Sequence, residues 1–126
     1  MKIQALKVNS FTSKGTGGNP AGVVLEPGEL TAFQMKKISR ILQVSETAYV
    51  FPSNLADFHV RFFSPAVEVD LCGHATIATF TVLAKKQNTK SKNVLILTQE
   101  TKAGVLPVKL HFTNAGDLDY VLMQQQ

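Results

Sequence analysis

The chain has 126 residues, 44% of them apolar and 17% charged, which suits one domain with a real hydrophobic core and excludes a disordered composition. Its formal charge of +4 is mild and dispersed. The short groups Lys36-Lys37-Arg40 and Lys85-Lys86-Lys90-Lys92 lack the density and interleaved aromatics of a nucleic-acid surface, so they read as solvated surface whose field suits a small anion.

Residues 3–11 read as a strand with imperfect alternation, and residues 12–20, rich in Ser, Thr, Gly and Asn, as a loop. A short buried-strand run at 21–25 ends at the Pro27-Gly28 turn. Thr31 is a helix N-cap, opening a helix through about Leu42 whose apolar positions are Phe33, Met35, Ile38, Ile41 and Leu42. Strands follow at 47–51 and 58–63. The second alternates, with Phe58, Val60 and Phe62 on one face and His59, Arg61 and Phe63 on the other. Ser64-Pro65 breaks it, and residues 68–71 form a short extended stretch leading into Cys72-Gly73.

From His74 to about Lys86 the chain reads as a helix that is apolar almost all round, the mark of a helix surrounded by protein. Further strands are expected at 94–97, 104–112 and 119–123, with a hairpin turn at residues 114–117. Two helices, seven or eight strands and one helix too apolar for a surface imply an α+β fold. Its strongly curved, barrel-like mixed sheet would wrap the helix at 75–84, with the second helix outside.

The N-terminus lacks the apolar core of a signal peptide, and no apolar run approaches the ~20 residues of a membrane span, so a cytoplasmic protein with no membrane partner is expected. The single cysteine, Cys72, excludes an internal disulfide.

Cys72-Gly73-His74 sits where a strand gives way to a buried helix. The unpaired amides of a helix start favour anions. Gly73 would let a ligand approach the backbone, and the same field would favour a Cys72 thiolate, making it a reactive thiol or base. The plainer alternative is a buried apolar cysteine beside a capping histidine. Glu46, at a helix-to-strand junction before Ala48-Tyr49-Val50, is either a proton-transfer carboxylate at the edge of an apolar site or an exposed loop acid. Asn19, within Gly17-Gly18-Asn19-Pro20-Ala21-Gly22, lies in a turn that matches neither a P-loop nor a dinucleotide fingerprint. His59 and His111 read as strand residues. No Cys/His group has zinc spacing and no Gly-x-Ser-x-Gly elbow occurs, so neither a metal nor an organic cofactor is expected.

Taken in order, Asn9-Ser10-Phe11-Thr12, residues 18–25, Ser45-Glu46-Thr47-Ala48-Tyr49-Val50, Arg61-Phe62-Phe63-Ser64-Pro65 and residues 68–76 resemble the PhzF-like (phenazine-biosynthesis-like) isomerase family over essentially the whole chain. The resemblance implies a diaminopimelate-epimerase-like fold and cofactor-independent proton shifts on a small-molecule substrate in a cleft between two such domains. It places the proton carrier at Glu46, substrate binding at Gly73 and His74, and a cleft-lining residue at Asn19. It also implies that residues 1–126 form the family's first domain alone. The opposing wall would then come from a second domain or from a second copy in a homo-oligomer. Two alternatives stand beside the isomerase: a non-catalytic interaction module of the same fold, and a homodimeric cysteine-dependent racemase or epimerase in which each subunit gives Cys72.

Overall fold

The computed structural model describes residues 3–10, 19–86 and 93–123. Among them the chain runs β1 (Leu6–Ser10), β2 (Asn19–Val24), α1 (Ala32–Leu42), β3 (Thr47–Phe51), β4 (Phe58–Phe63), β5 (Glu68–Val69), α2 (Gly73–Lys86), β6 (Val94–Thr101), β7 (Gly104–Phe112) and β8 (Leu118–Met123). The eight strands form one sheet in the order β1-β2-β3-β4-β6-β7-β8, with β5 paired to β4 off that path. The β2–β3 and β4–β6 pairs are parallel and the others antiparallel, so the sheet is mixed. It curls into a half-barrel around α2, as expected. Residues 12–18 of the expected loop, and Lys90 and Lys92, lie outside the described residues.

Burial explains the curl. On one side of α2, Ala75 and Ala78 pack with Ala21 and Val23 of β2, Ala48 of β3, and Val60 and Phe62 of β4. On the other, Phe80, Leu83 and Ala84 pack with Leu97, Val108, Leu110, Phe112 and Val121 of β6–β8. The helix's own polar groups stay satisfied in this apolar setting. Thr76, Thr79 and Thr81 return their hydroxyls to the carbonyls of Cys72, Ala75 and Ile77 at 2.7–2.8 Å.

The opposite face of the sheet carries α1. Thr31 caps it as expected: its hydroxyl accepts the Gln34 amide at 3.2 Å, and the Gln34 side-chain oxygen accepts the Thr31 amide at 2.8 Å. The helix ends at Gln43, in the left-handed region at φ 58°. The expected apolar face is narrower than its sequence. Met35 is fully buried with Val24, Tyr49 and Phe63, while Phe33 and Ile41 are about 70% exposed. A helix resting on one sheet face has room to bury one stripe, and the buried stripe includes Ser39. Ser39 donates to the Phe63 carbonyl and bonds the Thr47 hydroxyl, both at 2.8 Å.

Strand β4 divides its faces as the alternation predicts. Val60 and Phe62 face α2, whereas Phe63 lies under α1. Arg61 makes a two-pronged contact with Glu68 on β5, both at 2.9 Å, and its guanidinium lies 5.1 Å from the Phe63 ring centre. Two expectations shift. Asn19 and Pro20, read as loop, open β2 opposite Ser10 and Asn9. The first strand begins at Leu6, not at residue 3. At the far end, the β7–β8 turn at Gly116 (φ 89°) is where the hairpin was expected.

Gly22 fixes how closely β2 approaches β3. A Cβ there would sit 2.5 Å from Thr47 Oγ1 and 2.7 Å from Leu42 Cδ1. Gly22→Ala is therefore expected to cost about 1–3 kcal/mol in urea unfolding. A loss under ~0.5 kcal/mol would show that the packing yields. The Arg61–Glu68 pair gives a pH test. Hydrogen bonding to Arg61 holds the Glu68 carboxyl below its ordinary value, with Lys102 at 3.3 Å adding to the effect. A depressed acid stabilises the fold above its unfolded pKa, and that contribution disappears as pH falls through the folded value. Glu68→Gln should cost roughly 1 kcal/mol at pH 7. The gap between the two proteins should shrink steadily as the medium is acidified below about pH 4.3.

Candidate active site

Glu46 is the residue before β3, and its carbonyl accepts the Gly22 backbone N–H at 3.0 Å. The β2–β3 pairing that Gly22 permits thus anchors the backbone beneath the carboxylate. Cys72 and Gly73 form the entrance to α2, which is positioned by burial of the helix behind them. The two elements meet side by side, and residues 26 positions apart in sequence become neighbours.

Glu46 Oε1 is the focus. It accepts the Ser45 hydroxyl at 3.0 Å and the Cys72 thiol at 3.3 Å, and it lies 3.4 Å from His74 Nε2. His74 Nδ1 is 3.2 Å from Cys72 Sγ, and His74 Nε2 is 3.3 Å from Ser45 Oγ. The His74 and Glu46 side chains keep 13% and 22% of their exposure, so the cluster is sheltered yet reachable from solvent. Of the residues expected at the site, Glu46, Cys72, Gly73 and His74 are brought together. Asn19 is placed by its backbone at the start of β2, three residues before Gly22. Ser45 has no role in the sequence reading. Its place beside an acid gave no signal of its own, because only folding brings His74 within its reach.

The surroundings of the thiol act on it in two directions. Burial pushes Cys72 up to about 11, and the neighbouring Glu46 charge adds to the rise. The backbone amides of Ala75 and His74 pull the other way, as a helix start should, but burial outweighs them. The zinc-spacing rule also reaches only local pairs. Here one donor atom each from Glu46, Cys72 and His74 lies within 4.8 Å of the others.

Comparison with known proteins bears on the fold that carries these residues. The model of the family described as "Phenazine biosynthesis-like protein" matches residues 8–126. An uncharacterized isomerase of Bacillus subtilis, YfhB, is 41% identical over 109 residues, covering 86% of this chain and 36% of its own length. The crystal structure of a Bacillus anthracis phenazine biosynthesis protein of the PhzF family superposes with a TM-score of 0.82 at 37% identity, over 99% of this chain and 41% of that one. A hydroxyproline epimerase from Agrobacterium vitis shares the fold alone, with a TM-score of 0.70 at 17% identity over 96% of this chain and 40% of its own. The half-barrel is thus that of the epimerase-type folds, and the isomerase-named relatives share its sequence as well. The chain belongs to the phenazine biosynthesis-like (PhzC-PhzF) family, spanning about two fifths of the length of the relatives it matches.

The state of the thiol can be measured. Alkylation of Cys72 by iodoacetamide should be slow at pH 7 and rise about tenfold per pH unit towards pH 10. Glu46→Gln should speed it, since a neighbouring negative charge is then gone. A plateau below pH 9 would show that the thiolate forms more readily than its burial implies.

Proposed function

We propose that this chain is an isomerase domain that moves a proton on a small, carboxylate-bearing substrate by general acid–base chemistry without a cofactor. The observation that carries the reading is the convergence of the Ser45, Cys72 and His74 side chains on one oxygen of Glu46 at the start of a buried helix. Glu46 is the proton carrier. Ser45 and Cys72 hold its carboxylate in one orientation, which prepays the alignment that proton abstraction needs. His74, in contact with Glu46, Ser45 and Cys72, orients the substrate and shares the proton network. Gly73 leaves the helix start open to a substrate carboxylate or developing enolate, where the partial positive charge of α2 is concentrated. Asn19, at the start of β2, is the cleft-lining residue of this reading.

The pushed-up thiol supports Glu46 as proton carrier over Cys72, because a cysteine-based racemase asks for a thiolate that burial opposes. A cytoplasmic, reducing setting fits a site with one unpaired cysteine, and the family likeness favours a biosynthetic role. The opposing wall of the cleft comes from a second domain or a second copy of the chain. An interaction module of the same fold is the second reading. It draws on the outer face of β6–β8, where Ile96 and Leu122 flank Lys109 and are more than half exposed, with Val94 and Tyr120 beside them.

Solvent deuterium incorporation decides between them. The chain, incubated in D2O with a panel of small unsaturated or α-substituted carboxylates, should label one substrate carbon. Glu46→Gln should lower that rate by about 10²–10⁴-fold. Labelling that survives this substitution would remove Glu46 from the role. Absence of labelling across concentrations that span self-association would favour the interaction module.

A further inference from the structure

We propose that Glu46, Cys72 and His74 form a binding site for one thiophilic divalent cation of the Zn2+ type. The binding claim rests on the geometry of the three donors. Its consequence, that the ion silences the site, rests on the proton-transfer reading above.

The donor set is of the kind zinc takes: one carboxylate oxygen, one sulfur and one imidazole nitrogen, all within 4.8 Å of one another. Bonds of ordinary length meeting at a tetrahedral angle hold such donors about 3.4–3.6 Å apart. The corresponding separations are 3.3 Å from Cys72 Sγ to Glu46 Oε1, 3.4 Å from His74 Nε2 to Glu46 Oε1 and 4.0 Å from Cys72 Sγ to His74 Nε2. The nitrogen–oxygen edge already has zinc dimensions, and the sulfur–oxygen edge opens by roughly 0.3 Å to reach them. The third closes by roughly half an ångström, within reach of a small turn of the imidazole.

Charge fits as well. As the Zn–S bond forms, the thiol proton leaves to solvent. Thiolate and carboxylate together then cancel the two positive charges of the ion, so the assembly is neutral beside the positive start of α2. Mg2+ and Ca2+ ask for several oxygen donors and find one carboxylate here. The partial exposure of Glu46 and His74 leaves a way in and room for a water in the fourth position. With Oε1 bound to the ion, the Glu46 carboxylate is a weaker base towards a substrate proton.

Co2+ substitution reads the site directly and needs no substrate. The reduced chain titrated with Co2+ should develop a thiolate-to-metal charge-transfer band that saturates at one equivalent and is bleached by Zn2+. Cys72→Ser should remove the band, while Glu46→Gln and His74→Ala should each weaken Zn2+ binding roughly tenfold or more. His59→Ala and His111→Ala should leave it unchanged, since neither histidine belongs to the donor cluster. If a variant fails to fold, prior alkylation of Cys72 in the native chain serves in its place and should abolish the band. No charge-transfer band in the native chain, an unchanged band after alkylation, or equal competition by Mg2+ would each overturn the proposal. None of these readouts depends on proton transfer, so the metal site and the isomerase reading stand or fall separately.

Discussion

The structure depends on the burial of α2 from both sides. The sheet is nearly two sheets: β4 and β6 meet in register over only Phe58–His59 opposite Gln99–Glu100. What joins the halves is the helix, which contributes Ala75 and Ala78 to one apolar cluster and Phe80, Leu83 and Ala84 to the other. Phe80 crosses the seam itself, packing edge-to-face against Phe58 with ring centres 6.1 Å apart. A fully buried aromatic of this kind is worth about 1.5–3 kcal/mol of transfer free energy before packing terms. Polar clips reinforce the seam: Asp57 takes the Thr98 amide at 2.8 Å, and Ser53 donates to Glu100 at 2.7 Å. Helix burial and sheet curvature are thus one fact described from two sides.

The site is a consequence of that arrangement. A helix held along its length has a fixed beginning, and the beginning of α2 is Cys72-Gly73-His74. The partner residue, Glu46, is fixed by a separate device, the close β2–β3 approach that only a glycine at position 22 allows. Neither device belongs to the chemistry. Each sets the position of one side of a contact whose atoms lie 3.3–3.4 Å apart, where a shift of an ångström would matter. Gly22 acts on the Glu46 side, through its bond to the Glu46 carbonyl, and Phe80 on the α2 side, through the burial of the helix.

Much of this was readable from the residues because local and global preferences agree. The Thr31 cap, the two faces of β4, the hairpin at Gly116 and the buried character of α2 each follow from short-range rules that tertiary packing did not overturn. The failures have a common cause. Phe33 and Ile41 have the spacing of a buried face, but the width of the buried stripe is set by the sheet beneath, which no local pattern contains. Asn19-Pro20 reads as loop by composition and pairs as strand because β1 lies opposite. For the site, Glu46 and the α2 start were legible through an ordered set of motifs, whereas their mutual contact was not.

Cys72 shows most clearly where one-dimensional reasoning ends. The helix-start amides that suggested a thiolate are present and act in the expected direction. Burial of the sulfur and the Glu46 charge act against them and prevail, and the thiol is placed to donate a hydrogen bond to Glu46. The same two neighbours then determine what can change this. A positive charge arriving between Glu46 and Cys72 reverses the sign of the local field, turning the carboxylate from an obstacle to thiolate formation into a co-ligand. A cluster arranged so that one oxygen collects three side chains suits the transfer of a single proton. That arrangement also gathers soft and hard donors closely enough for a cation to displace the proton.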